Sequence, residues 1–164
     1  MQSKLGAAQR AGDPGKLVGV IDEVISEFPS AELMLGPMKL TAMIKLDDQE
    51  KALEYAKKLS KTELSKQAEG MNGLAWAIVD PDAGLKPSSK LIEFALEAAR
   101  QADELADGKD GAIADTLAKA YFDSGDAKKA VETQERALTL MKDAGVKEDP
   151  GMKDRLEQYK KAAK

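Results

Sequence analysis

Residues Ala114 to Ala137 read ADTLAKAYFDSGDAKKAVETQERA, and the fold is decided within this stretch. Gly125-Asp126 interrupts a helical pattern: glycine ends one helix and aspartate caps the next. Beyond the break, Ala127, Ala130, Val131, Ala137, Leu138 and Met141 recur at i, i+3, i+4 spacing, leaving Lys128, Lys129, Glu132, Glu135 and Arg136 on the opposite face. The stretch is therefore a helix hairpin whose facing positions are small. At Ala130, two helices crossing closely admit a methyl group and little more.

The same pattern extends in both directions. Ala52, Leu53, Ala56 and Leu59 repeat the helical spacing, as do Leu91, Phe94, Ala95, Ala98, Ala99, Ala102 and Leu105. Asp13-Pro14 and Asp149-Pro150 each place a capping acceptor before a proline suited to the first turn, and further starts follow at Ser30 with Glu32, at Asp48, and at Ser88 or Ser89 after Pro87. No stretch alternates with period two over a strand's length, so no sheet is predicted. The pattern predicts helices at roughly 2–11, 14–28, 31–46, 48–59, 63–79, 88–106, 111–124, 126–142 and 149–163. Breaks at Gly12-Asp13, Asp47-Asp48 and Gly125-Asp126 divide a first helix from a second. The step from 13 to 48 is 35 residues, and 48 to 126 makes two more such steps if the third pair carries the longer loop Asp80-Pro81-Asp82-Ala83-Gly84-Leu85-Lys86-Pro87. A helix-turn-helix period of about 34 residues marks a solenoid whose units bury a face only by stacking. The units fall at roughly 1–29, 30–60, 61–108 and 109–143, with a cap at 148–164, in a single domain spanning 1–164.

Composition narrows the function. The 164 residues are 43% hydrophobic but 4% aromatic, so the core must come from close helix contacts rather than large rings. A net charge of −4 is unlike the basic balance that neutralises phosphate backbones, and no nucleic-acid partner is expected. The chain has no Cys and no His, which removes thiolate nucleophiles, imidazole bases, the usual zinc ligands and disulfides. No enzyme activity, cofactor or metal is expected. Met1 to Gly6 is polar, and no run of about 18 apolar residues could span a bilayer, so no membrane partner is expected either. The absence of Cys suits a reducing or an oxidising compartment.

The fourth unit resembles the tetratricopeptide repeat. Leu117 and Ala118 match its Leu-small pair, Tyr121 its aromatic, and Ala130 and Ala137 the small residues of its second helix; Gln134 and Ala114 depart from it. In the third unit Leu74-Ala75 and Ile78 stand at the matching places. The first carries Leu17, Ile21, Val24 and Pro29, and the second is weakest, with Lys39 where leucine is expected. The resemblance implies an all-α, right-handed superhelix of about four hairpins closed by a capping helix. A narrower likeness is carried by Asn72-Gly73-Leu74-Ala75-Trp76-Ala77-Ile78-Val79-Asp80, Ala98-Ala99-Arg100-Gln101-Ala102 and Asp115-Thr116-Leu117-Ala118-Lys119-Ala120-Tyr121-Phe122. These runs are similar to the helical C-terminal extension of bacterial thioredoxin-fold proteins of the redoxin and TlpA type. That likeness implies an accessory interaction module, exported if it derives from such a parent, and the alternative is a structural or oligomerising extension.

In tetratricopeptide stacks the first helices line a concave groove. Registering on Leu74 and Leu117 places Asn72, Trp76, Val79, Asp115, Lys119, Phe122 and Asp123 on that side. Trp76 and Phe122 would be apolar anchors for a protein or peptide, with Asn72 and Lys119 as polar contacts, and the narrower likeness implies a thioredoxin-fold domain as that partner. Trp76 among Leu74, Ala75 and Ile78 equally suits the core between repeats. A clamp for chaperone C-termini would need several Lys, Arg and Asn, and only Asn72 and Lys119 approach it. Asp80, Asp82 and Gly84 resemble the start of a calcium loop, but the glycine stands one place early and Leu91 replaces the closing glutamate. Lys153, Arg155, Lys160, Lys161 and Lys164 read as the wet face of the capping helix, opposite Met152, Leu156 and Tyr159.

Overall fold

A computed structural model describes residues 2–146 and 150–164 of the chain. Among these residues there are nine α-helices and no strand: α1 Gln2–Ala11, α2 Pro14–Glu27, α3 Glu32–Lys45, α4 Gln49–Leu59, α5 Ala68–Val79, α6 Ser89–Leu105, α7 Gly111–Asp123, α8 Ala127–Asp143 and α9 Pro150–Ala162. The cap expected at Asp149 lies outside the described residues. Single 3₁₀ turns stand at Pro29–Ala31, Glu63–Lys66 and Pro81–Ala83. The second of these divides the helix predicted over 63–79. Thr62 accepts from the Leu64 N–H while its hydroxyl donates to the Leu59 carbonyl, which tightens the turn, and Gln67 is extended before α5 begins. The turn folds back onto α5 so closely that a Cβ on Gly70 would lie 2.9 Å from the Leu64 carbonyl oxygen. Gly70→Ala is therefore expected to cost about 1–3 kcal/mol in urea unfolding, despite alanine's better helix propensity.

Helix starts are set by aspartates. The Asp13 carboxylate accepts from the Lys16 N–H at 3.0 Å, Asp126 from Lys129 at 3.1 Å, and Asp110 from both Ala112 and Ile113. Those backbone donors hold the Asp13 and Asp126 carboxyls below the ordinary 3.8. Depressed folded values mean that the ionised caps stabilise above the ordinary value and lose this as pH falls through the lowered ones. Acid titration should show α2 and α8 loosening only below about pH 4. In Asp126→Asn, which keeps a capping oxygen without the charge, the α8 part of that pH dependence should vanish. The Ser88 and Asp48 side chains accept no such capping bond. Instead Gln49 pins the long loop, accepting from the Ser88 N–H at 3.0 Å and donating to the Lys86 carbonyl at 3.2 Å.

Each helix packs on the next along most of the chain, and α3 packs on α5, α5 on α7, and α4 on α6. That neighbour-and-next-but-one order belongs to a stack that progresses, not to a bundle wrapped round one axis. Its core contains fully buried Leu40, Leu59, Leu74 and Leu91. Ala52, Ala56, Ala95, Ala99, Ala102, Ala118, Ala130 and Ala137 sit at 0% exposure, which lets the rods approach closely. Ala130 packs with Ala118 and Tyr159. Ala130→Leu should therefore lower stability by about 1–3 kcal/mol, read as a lower urea midpoint with an unchanged slope.

Lys39, at the unit's expected leucine, keeps only 15% of its side chain exposed. Its ammonium lies 4.5 Å from the Tyr55 ring centroid and pairs with Asp22, so a cation on an aromatic face fills the missing apolar position. Arg136 ties α8 to α6, donating to both Asp103 oxygens at 3.0 and 2.8 Å and to the Gly108 carbonyl.

Candidate functional site

The groove residues expected on α5 and α7 stand on adjacent helices, because α5 packs directly on α7. On α7, Asp115, Lys119, Phe122 and Asp123 follow the four- and three-residue spacings that keep a helix face. The structure gives these side chains different surroundings. Asp115 is 7% exposed and covered by α9: Arg155 donates to its two oxygens at 2.8 and 2.6 Å, and the Gln134 amide donates at 2.6 Å. Gln134, the departure from the repeat pattern, is fully buried for this reason. It joins α8 to a carboxylate on α7 and through it to α9. Phe122 stacks on Tyr159 of α9, with ring centroids 4.5 Å apart and an interplanar angle of 27°. Burial pushes the Tyr159 phenol well above its usual value.

Lys119 and Asp123 form an ion pair one helical turn apart, with side chains only 14% and 20% exposed. Val79, at the end of α5, is 2% exposed. With Phe122 these three residues line an open cavity of about 390 Å³, walled on one side by Pro81, Leu85 and Pro87 of the long loop and on another by Gln158 of α9. Trp76 and Asn72 lie earlier on α5, both half-buried, with Trp76 against the main core. The Asn72 Oδ1 is buried without a hydrogen-bond partner among the described residues. The structure thus gathers Val79, Lys119, Phe122 and Asp123 at one cavity, leaves Asn72 and Trp76 along α5, and encloses Asp115 beneath α9.

Sequence reasoning missed Leu85 and Gln158, noted Gln134 only as a departure from the repeat, and placed Arg155 on the wet face of the capping helix, whereas its side chain is 11% exposed because it turns inward onto the Asp115 carboxylate. The length of the 80–88 loop and the polar Gln134 at an apolar position were the available signals. In that loop the Asp80 carboxylate accepts from the Asp82 N–H at 2.9 Å, capping the 3₁₀ turn, and Gly84 adopts φ 63. A second cavity of about 230 Å³ lies between α1, α2 and α3, lined by Leu17, Met38 and Ala42, and holds none of the predicted site residues. Among the described residues no group of three or more Asp or Glu could hold a metal, and no helix is long and apolar enough to cross a membrane.

No protein-family model matches the chain, and no curated protein matches it. Among solved structures it is similar to the crystal structure of the MamA protein, a tetratricopeptide-repeat protein, at a TM-score of 0.54 and 16% identity, covering 98% of this chain and 86% of that one. At that identity the likeness concerns the fold: an all-helical, tetratricopeptide-like stack.

Proposed function

We propose that this tetratricopeptide-like stack is a non-catalytic scaffold that binds protein or peptide along the side formed by α5 and α7. The observation that carries this reading is the open cavity at Val79, Lys119, Phe122 and Asp123; the half-buried Trp76 and Asn72, with its unpartnered buried oxygen, precede Val79 on α5 at three- and four-residue spacings. Half-covered rings beside polar groups are what an extended peptide needs: apolar anchorage and partners for its backbone. The absence of Cys and His from the sequence and the engagement of Asp115 and Asp123 in ion pairs favour holding over chemistry. By its sequence likeness, the partner proposed is a thioredoxin-fold domain or its client.

Trp76 is the sole tryptophan, so its emission reports on the groove. Titrating a thioredoxin-fold protein should shift that emission, and Trp76→Ala should weaken calorimetric affinity at least tenfold. An unchanged affinity in Trp76→Ala would remove the groove from the interaction. The second reading, an oligomerising extension, is favoured by the exposure of Phe28, Met34 and Leu46, of which Met34 is 74% exposed. Sedimentation over a hundredfold concentration range separates the two, since a monomer throughout excludes self-association.

A further inference from the structure

Resting on the peptide-binding reading, we propose that the cavity between the 80–88 loop, α7 and α9 takes one apolar side chain of the bound peptide, and that this residue is flanked by Lys or Arg. Val79, Leu85, Ile92 and Phe122 form the apolar part of its walls, beside Asp80, Lys119, Asp123 and Gln158. Its two most enclosed charges, Lys119 and Asp123, neutralise each other. An ion would have to break that pair to enter, whereas an aliphatic or aromatic side chain gains contact with the walls and leaves the pair intact. A volume of about 390 Å³ lies near the lower limit for ligand cavities, which suits a single side chain with its backbone rather than a large ligand.

The flanking preference comes from α9. A shallower depression adjoins the cavity and shares Phe122 and Gln158 with it, and its rim carries Asp154, Glu157 and Lys161. Across the two there are four carboxylates, Asp80, Asp123, Asp154 and Glu157, against two ammoniums, Lys119 and Lys161, a net charge of −2. Asp154 and Glu157 are exposed. Their field favours a cation beside the apolar anchor and disfavours an anion there, and salt screens it.

The test is fluorescence anisotropy with three labelled heptapeptides: Gly-Ser-Lys-Leu-Lys-Ser-Gly, the same with Glu for both Lys, and the same with Ala for Leu. The wild type should bind the first about tenfold or more tightly than either other, and the advantage over the Glu peptide should shrink several-fold between about 50 and 300 mM salt. The double variant Asp154→Lys/Glu157→Lys, confined to exposed positions, should reverse the order of the Lys and Glu peptides. Gln158→Trp, which obstructs the cavity mouth, should erase the advantage of Leu over Ala. Thermal melting checks that both variants fold. If all three peptides bind alike, or the variants leave the order unchanged while Trp76→Ala still abolishes binding, the cavity assignment falls and the groove reading stands. If the wild type binds neither any of the peptides nor a protein partner, both fall.

Discussion

Arg155→Ala is expected to destabilise the protein by about 3–5 kcal/mol, because it strands a buried carboxylate. Asp115 and Arg155 are each about nine-tenths covered, with side chains 11% exposed, so water cannot replace the lost cation without opening the helix contact. The Gln134 amide remains as a donor to Asp115 but is neutral and already used. For a chain of this size the loss corresponds to a fall in Tm of roughly 6–20 °C. The damage should begin at the cap. Amide exchange is expected to lose protection first in α9 and the facing side of α8, while α3 to α6 keep theirs, since a stacked array opens from its end. Replacing both partners by apolar residues of similar shape, Asp115→Leu with Arg155→Met, should recover much of the loss. A single Arg155→Ala with unchanged melting and unchanged exchange would mean that the bridge does not hold α9.

Tyr159→Ala is expected to cost a comparable 3–5 kcal/mol, for a different reason. The ring is 0% exposed, stacked on Phe122 and packed with Ala118 and Ala130, so truncation leaves a cavity at the meeting of three helices. The methyl side chains around it are too short to collapse into the space. Tyr159→Phe provides the contrast. The Tyr159 hydroxyl is buried without a hydrogen-bond partner among the described residues, so its removal should be neutral or stabilising by up to about 1 kcal/mol. Urea midpoints of the three proteins check the pair of expectations. A strongly destabilised Phe variant would show that the hydroxyl has a partner. Because Arg155 and Tyr159 share one helix, combining their alanine variants should cost less than the two losses together, as undocked α9 has nothing further to lose.

Helix content was legible because its signals are local. The aspartate at position 126 forms the hydrogen bond to Lys129 that its sequence position implies, and Gly125 takes φ 91 at the break. The start of α5 was misplaced because the Glu63–Lys66 turn has helical composition. Its separation depends on Thr62 and on the return of Leu64 against Gly70, which no periodicity records. Lys39 illustrates a different limit. Its departure from the repeat was visible, but the compensating Asp22 and Tyr55 come from α2 and α4.

The sequence by itself determined which rods form, how many, and that small side chains allow them to stack, because caps, breaks and 3.6-residue spacing act within a few residues. The surroundings of the groove face were decided only by the tertiary structure. Asp115 and Phe122 share that face with Lys119, yet the first lies under Arg155, 40 residues away in the chain, and the second under Tyr159. Burial at these positions depends on where a distant helix comes to rest, and that position results from the whole stack's packing rather than from any local pattern.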